Sequence, residues 1–462
     1  MKQIFAVILA AALALSVVGC AAEPVRNDAL ITAEGTLLSR EDALDIIPSS
    51  EEFPSAEAAY IIQPPASDAD IATAIPEKMP EKAVVKELAA KQDFTVVPVQ
   101  EKAQEVRAMW FSYLDLIPMI QGKSKGDFRS NICTAFNNCA ELGINTVIVH
   151  VRPFADALYD SDYFPYSYIV NESNTEGCNP GYDPLSIMVE EAHSRGLKIE
   201  AWINPYRVRK PGDKEAVSAD SIATKWLNEK EDYVLSYKGG LYFNPARKDV
   251  QNLIVNGVCE VVKNYAVDGI HFDDYFYPSP DNKFDSVAYG EYKNGGGTKS
   301  LGDWRRENVN ILVKRVYKAI KSIRKKCVFG ISPQGNHSNN YSQQYIDVAK
   351  WGSQSGYVDY ICPQIYWSYE NTAAPYIYML KSWEDMVTSP DVKLYIGLAS
   401  YKIGGENDFK NATDMMKRQV EDAREVQHYG GFALYRYDSL FNPKASLRTQ
   451  VSKEIANLNS IL

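Results

Sequence analysis

The chain has 462 residues, a formal net charge of −10 and only five His. An acidic surface cannot neutralise phosphates over a broad face, which argues against a nucleic-acid partner. Aromatics make up 11%, with thirty Tyr, a composition that suits sugar rings, whose apolar C–H faces stack on Tyr and Trp, as well as an ordinary core.

At the N-terminus, Lys2 precedes a mostly apolar run from Ile4 to Val18 that closes on Gly19-Cys20. These are the parts of a secretory signal, and about fifteen residues is short for a membrane span. Val17-Val18-Gly19-Cys20 resembles the bacterial lipoprotein signal, in which Cys20 is lipidated and becomes the mature N-terminus. An ordinary signal with an incidental Cys is the alternative. Either way the protein is expected to work outside the cytoplasm, and by the first reading it is anchored to a bacterial membrane through lipid. Residues 21–104 are rich in Ala, Glu, Pro and Ser, with Phe53, Tyr60 and Phe94 as the aromatics up to Gln100, and read as a tether, with a short helical piece over 39–47. The six Cys beyond Cys20 suggest no disulfide framework, and no CxxC pair offers a zinc site.

From Glu105 the texture changes to apolar strands alternating with amphipathic helices. Strands are predicted at 106–111, 146–151, 199–203, 269–272, 328–332, 360–363, 394–398 and 432–435. Helices are predicted at 129–142, 184–195, 250–266, 304–325, 342–350, 375–386, 411–428 and 444–458. Eight strand–helix units over residues 105–462 fit a (β/α)₈ TIM barrel with long βα loops at 152–182, 204–249 and 273–303. Asn294-Gly295-Gly296-Gly297 in the last of these reads as a surface tip or as part of a lid. No Gly-rich turn follows a strand in the manner of a nucleotide site, and no cofactor is expected.

The fourth strand ends in Asp273-Asp274, and Asp is poor in strand interiors and costly to bury unpaired. On the catalytic rim of such a barrel, two adjacent carboxylates are candidates for general acid and base work. Around them the other strand ends contribute His150, Arg152, Asn204, Tyr206, Tyr275, Gln364, Tyr366 and Trp367, candidates for binding substrate. Structural roles compete: Asn204 and Gln364 could satisfy loop amides, Arg152 could pair with Asp156 or Asp160, and Trp202 and Trp367 could be rim packing. His150, His271 and Asp273 could meet around a metal, but no HxH or HExxH motif supports it and no metal is expected.

The blocks Val106-Arg107-Ala108-Met109-Trp110, Val151-Arg152-Pro153, Ala201-Trp202-Ile203-Asn204-Pro205-Tyr206-Arg207, Asp268-Gly269-Ile270-His271-Phe272-Asp273-Asp274-Tyr275, Trp304-Arg305-Arg306-Glu307-Asn308, Gly330-Ile331-Ser332-Pro333 and Pro363-Gln364-Ile365-Tyr366-Trp367 resemble the glycosyl-hydrolase-like family ten. The resemblance implies a bacterial envelope protein that cleaves glycosidic bonds in peptidoglycan strands, preferring those without stem peptides. His150 and Phe154-Ala155 depart from what relatives often carry. The Asp pair is also similar to adjacent acidic residues in hydrolases whose nucleophile is the substrate's own acetamido oxygen. By that analogy Asp273 orients the acetamido N–H, Asp274 is general acid and then base, and Tyr366 donates to the acetamido oxygen. A competing version takes a third carboxylate from Glu200, Asp115 or Asp438. Other classes left open are another polysaccharide hydrolase, a non-catalytic glycan-binding lipoprotein and a metal-dependent amidase or deacetylase.

Overall fold

A computed structural model describes residues 104–462, apart from 172–175, 213–216, 231 and 406, together with two short strands nearer the N-terminus. Those two, Ala29–Ile31 and Leu37–Ser39, pair antiparallel. The chain divides into two units, Met1–Thr95 and Val96–Leu462. The signal segment, Cys20, most of the tether and the helical piece beyond Ser39 lie outside the described residues.

The second unit is a closed barrel of eight parallel strands. In chain order these are β1 Val106–Phe111, β2 Thr146–Arg152, β3 Lys198–Ile203, β4 Gly269–Phe272, β5 Val328–Ile331, β6 Tyr360–Ile361, β7 Lys393–Leu398 and β8 Tyr429–Leu434. Each pairs with its sequence neighbours, and β8 closes on β1. All eight lie where the alternation of apolar runs and helices placed them. The strands are buried on both faces, as parallel sheets require, so β2 is buried at every position. Its Val147, Val149 and Val151 join the outer core under the helices, while Ile148 joins an inner cluster with Trp110, Trp202, Tyr360 and Tyr395.

That interior is filled by a few large side chains, and glycines on neighbouring strands admit them. A Cβ on Gly330 would lie 1.9 Å from the Tyr360 ring, and one on Gly269 would lie 2.9 Å from the Glu200 side chain.

The outer helices that alternate with the strands are α1 Lys125–Glu141, α2 Pro184–His193, α3 Lys248–Asn264, α4 Leu301–Ile323, α5 Val348–Ser353, α6 Tyr376–Glu384, α7 Met415–Ala423 and α8 Arg448–Asn459. Ser124, Asp183, Ser300 and Asp347 cap four of them by accepting a backbone N–H of the first turn. One expected helix, 342–350, is instead broken. His337–Ser342 and α5 flank a turn in which Tyr345 takes a φ of +58°, a conformation no helix continues through.

Two of the long βα loops carry secondary structure of their own. The segment after β3 folds into a three-stranded antiparallel sheet, Arg207–Arg209, Gly240–Phe243 and Val234–Tyr237. Its hairpin turns at Lys238-Gly239, both at positive φ, and the Lys hid a signal that Asn-Gly would have given. The segment after β4 holds a helix, Ser286–Asn294, and Gly295-Gly296-Gly297 ends it: Gly296 sits at φ +88°, and the N–H of Gly297 donates to Tyr292 O. The glycines are therefore a helix stop within an ordered loop.

Candidate active site

The geometry of the site follows from where β4 stops. Alternation turns Ile270 and Phe272 into the outer core and His271 into the barrel. The ladder ends at Phe272, so Asp273 and Asp274 are freed from the alternation that would send them to opposite faces. A tight turn follows, in which Asp273 Oδ1 accepts the N–H of Tyr275 at 3.1 Å and Asp274 O accepts that of Phe276 at 3.0 Å.

The two carboxylates sit in different environments. Asp273 is 2% exposed, and its Oδ2 accepts Nε1–H of Trp202 at 2.9 Å and Nδ2–H of Asn204 at 3.3 Å, both from the end of β3. Burial and then repulsion from Asp274 push its pKa up to about 7, against the Arg207 charge and the N–H groups of Trp202 and Tyr275. Asp274 is only half-buried, and its Oδ1 accepts Nε2–H of Gln364 at 3.2 Å. Burial raises its pKa too, opposed by the amides of Gln334, Gln364 and Gln344. One carboxylate is thus held by three donors below the mouth, and the other is more open to it.

Of the residues singled out from sequence, Asn204, Gln364, Tyr275 and Tyr366 gather around the pair. Asn204 also ties its own loop, its Oδ1 accepting the N–H groups of Tyr206 and Arg207. Tyr275 is 40% exposed, with the Arg207 guanidinium 4.3 Å from its ring centroid. Tyr366 stacks on Tyr435 at 5.7 Å and meets Tyr401 edge-on at 5.8 Å. His150 lies just beneath, stacked on Trp202 at 3.7 Å, with both ring nitrogens buried and without a partner in the structure. Burial, Arg207 and His271 hold its pKa well below the usual value, so the ring is neutral.

Three other candidates point elsewhere. Arg152 follows a register shift in β2 and turns outward towards α3, its guanidinium 4.3 Å from the Phe164 ring centroid and its Nη2 donating to Asn204 O. It braces the loop from behind. Tyr206 is fully buried against Phe276, and Trp367 is buried where a Cβ on Gly335 would strike it at 2.3 Å. In each case the chain has turned at the strand end, so the expected inward side alternates out.

The third carboxylates are committed too. Asp115 is fully buried, paired with Arg436 at 2.6 Å and bound by Ser112 in a capping box. Asp438 accepts from Asn442. Glu200 sits level with Gly269, at the far end of the barrel from the pair. There Trp110 donates to His271 Nε2, which leaves the ring proton on Nδ1 for Tyr360, whose hydroxyl donates to Glu200 Oε2 at 2.5 Å. With His271 so engaged and His150 stacked, the two histidines and Asp273 do not form a metal-ligand group, and no group of three such residues could hold an ion among the described residues.

Burial raises the Glu200 pKa from 4.5 to about 8. The folded protein then binds a proton that the unfolded chain lacks between about pH 4.5 and 8, so stability falls as pH rises through that window. Glu200→Gln keeps the neutral shape and is expected to flatten this dependence. Urea unfolding at pH 5 and pH 8 checks it, and an unchanged slope would contradict the assignment.

Trp202 and Arg207 belong to the site as well, though neither is among the residues expected there from the sequence. Both had a legible signal: Trp202 shares the inward parity of Glu200 on β3, and Arg207 directly follows the Asn204-Pro205-Tyr206 turn.

With this geometry in view, the relatives can be placed. The glycosyl hydrolase-like 10 family model matches residues 105–415. Glycosyl hydrolase YngK of Bacillus subtilis (strain 168) is 37% identical over 335 residues, which is 68% of this chain and 64%, under two thirds, of that protein. Glycosyl hydrolase DigH of Escherichia coli (strain K12) is 35% identical over 382 residues, 75% of this chain and 86% of that one. Among solved structures, the PgaB (BpsB) glycoside hydrolase domain from Bordetella bronchiseptica matches with a TM-score of 0.52 at 12% identity, covering 77% of this chain and 99% of that one. The catalytic domain of a beta-amylase from Paenibacillus polymyxa matches at 0.53 and 12%, covering 78% and 99%. At such identities the likeness concerns the fold. The sequence matches carry more, and by them the chain belongs to the glycosyl hydrolase-like 10 family.

Proposed function

We propose that the protein is a glycosidase of N-acetylated glycan, acting on peptidoglycan strands that lack stem peptides, outside the cytoplasm and anchored through a lipid on Cys20. The observation that carries the reading is the Asp273-Asp274 pair at the end of β4, one member held by three donors and the other open to the mouth. Glycoside hydrolysis needs a proton donor at the leaving oxygen and a nucleophile at the anomeric carbon. Asp274, the accessible member, gives its proton to the leaving oxygen. Asp273 accepts the substrate's acetamido N–H, so that the acetamido oxygen attacks the anomeric carbon. Asp274, now ionised, takes a proton from the water that opens the resulting ring. Tyr366, beside Asp274, donates to the acetamido oxygen. The commitment of Asp115, Asp438 and Glu200 to other partners supports a nucleophile supplied by the substrate.

Asp273 acts in this scheme as a carboxylate, so kcat/KM is expected to fall as pH drops through about 7, as an apparent value of the coupled pair. The N–H of Trp202 favours the ionised form, and Trp202→Phe is expected to move this acidic limb to higher pH. A limb that stays in place would show that Asp273 does not govern it.

The function itself is tested by mass spectrometry of products from glycan strands stripped of peptide. Fragments ending in intact N-acetylated sugars are expected, and binding without turnover would refute the enzyme reading.

A further inference from the structure

Cations near the mouth are generally matched by carboxylates: Arg436 binds Asp115, Arg305 binds Asp285 and Arg247 binds Asp232. Arg207 and Lys210 break that pattern, as does Arg152, which is turned away from the mouth behind the loop. Arg207 is 8% exposed, and its Nε and Nη2 donate to the carbonyl of Pro153 at 3.3 and 3.2 Å. Neither Arg207 nor Lys210 has an ion pair with a carboxylate among the described residues. The Arg207 charge is felt by Asp273 without a direct ion pair, and a largely buried cation that touches no carboxylate is costly, even in a chain of net charge −10. Such a group is poised for an anion that arrives with the ligand.

The surroundings say what kind of ligand. The Arg207 guanidinium lies 4.3 Å from the ring centroid of Tyr275 and 4.9 Å from that of Phe154. Phe154 meets Tyr113 edge-on at 5.4 Å, and Lys210 Nζ lies 5.6 Å from the Tyr113 centroid. Two cations and three aromatic rings therefore make one continuous wall on the side of the mouth built by the ends of β1 to β4. At the ends of β6 to β8, Tyr366, Tyr401 and Tyr435 pack on one another with centroids 5.7 to 5.8 Å apart, and the nearby Arg436 is already paired.

We propose that the wall of Tyr113, Phe154, Tyr275, Arg207 and Lys210 is a subsite for a sugar bearing a free carboxylate. Aromatic faces take the sugar's C–H surface, and the cations take the carboxylate by charge-assisted hydrogen bonds. The inference rests on the glycan reading above. In peptidoglycan the relevant carboxylate is the one that otherwise carries the stem peptide, and it is free only when the peptide is gone. A peptide on that group removes its charge and adds bulk at the wall, which accounts physically for a preference for stripped strands.

The test offers stripped strands in two forms, with carboxylates intact and with them converted to methylamides. The wild-type protein is expected to show a KM about tenfold lower on the intact form, the size of one charge-assisted contact. Lys210→Met is expected to raise KM on intact strands and lose most of that discrimination with kcat nearly unchanged, and Lys210→Arg to keep it. Equal KM for the two forms in the wild type, or undiminished discrimination in Lys210→Met, would overturn the subsite. Should neither form be cleaved, the glycosidase reading falls, and binding of the two forms to the wild-type protein decides separately. Tighter binding of the intact form upholds the subsite, and equal or absent binding overturns it.

Discussion

Asparagine in place of Asp274 is expected to lower kcat on stripped glycan strands by about 10²- to 10⁴-fold, the range that a positioned acid–base group supplies. The replacement keeps the shape and can still accept from the Gln364 amide, so the fold and KM are expected to change little. What is lost is the proton that Asp274 delivers to the leaving oxygen. Asp273→Asn is expected to be comparably inactive for another reason. Its Oδ2 accepts from both Trp202 and Asn204, and its Oδ1 from the Tyr275 N–H, so an amide there must turn its own donors against theirs. That variant is therefore expected to unfold at lower urea than Asp274→Asn. Turnover near the wild-type level in both variants would sink the assignment of the pair.

The largest expected effect on stability lies in the loop behind them. Arg305 and Asp285 have fully buried side chains, and Arg305 donates to both oxygens of Asp285, to the Tyr345 hydroxyl and to Asp281 O. This pair fastens the segment after β4 to α4. Arg305→Met strands a buried carboxylate and is expected to cost about 3–5 kcal/mol. Replacing both, as Arg305→Met with Asp285→Leu, removes the orphaned charge and is expected to recover a large part of that loss. Urea denaturation of the single and double variants measures both. If the double variant is no more stable than the single one, the penalty comes from lost packing and not from the stranded charge.

The barrel was legible because its eight strands are apolar runs buried on both faces and separated by helical segments, a pattern that survives without any side-chain detail. The catalytic pair was legible because Asp is so poorly suited to the end of an apolar strand. What the sequence could not reveal is direction once a strand has ended. Arg152, Tyr206 and Trp367 each sit one or more residues past regular alternation, where a bulge or turn decides which way a side chain faces. The sheet within the β3 loop was hidden for a related reason: its strands are three or four residues long, too short for periodicity to register. Its consequence, the placing of Arg207 and Lys210 beside the mouth, was hidden with it.

Because β4 gives up its ladder at Phe272, the two carboxylates answer to hydrogen bonds from neighbouring strand ends and not to the barrel's own pairing. Folding and chemistry are thereby governed largely by residues at opposite ends of the barrel. Substitutions on the barrel floor around Glu200 should alter how firmly the protein folds while leaving turnover alone, whereas a change at Gln364, a half-buried donor to Asp274, should alter turnover first. A lineage built this way can exchange its sugar, by reworking the strand-end donors and the β3 loop, without first having to find a new way to stay folded.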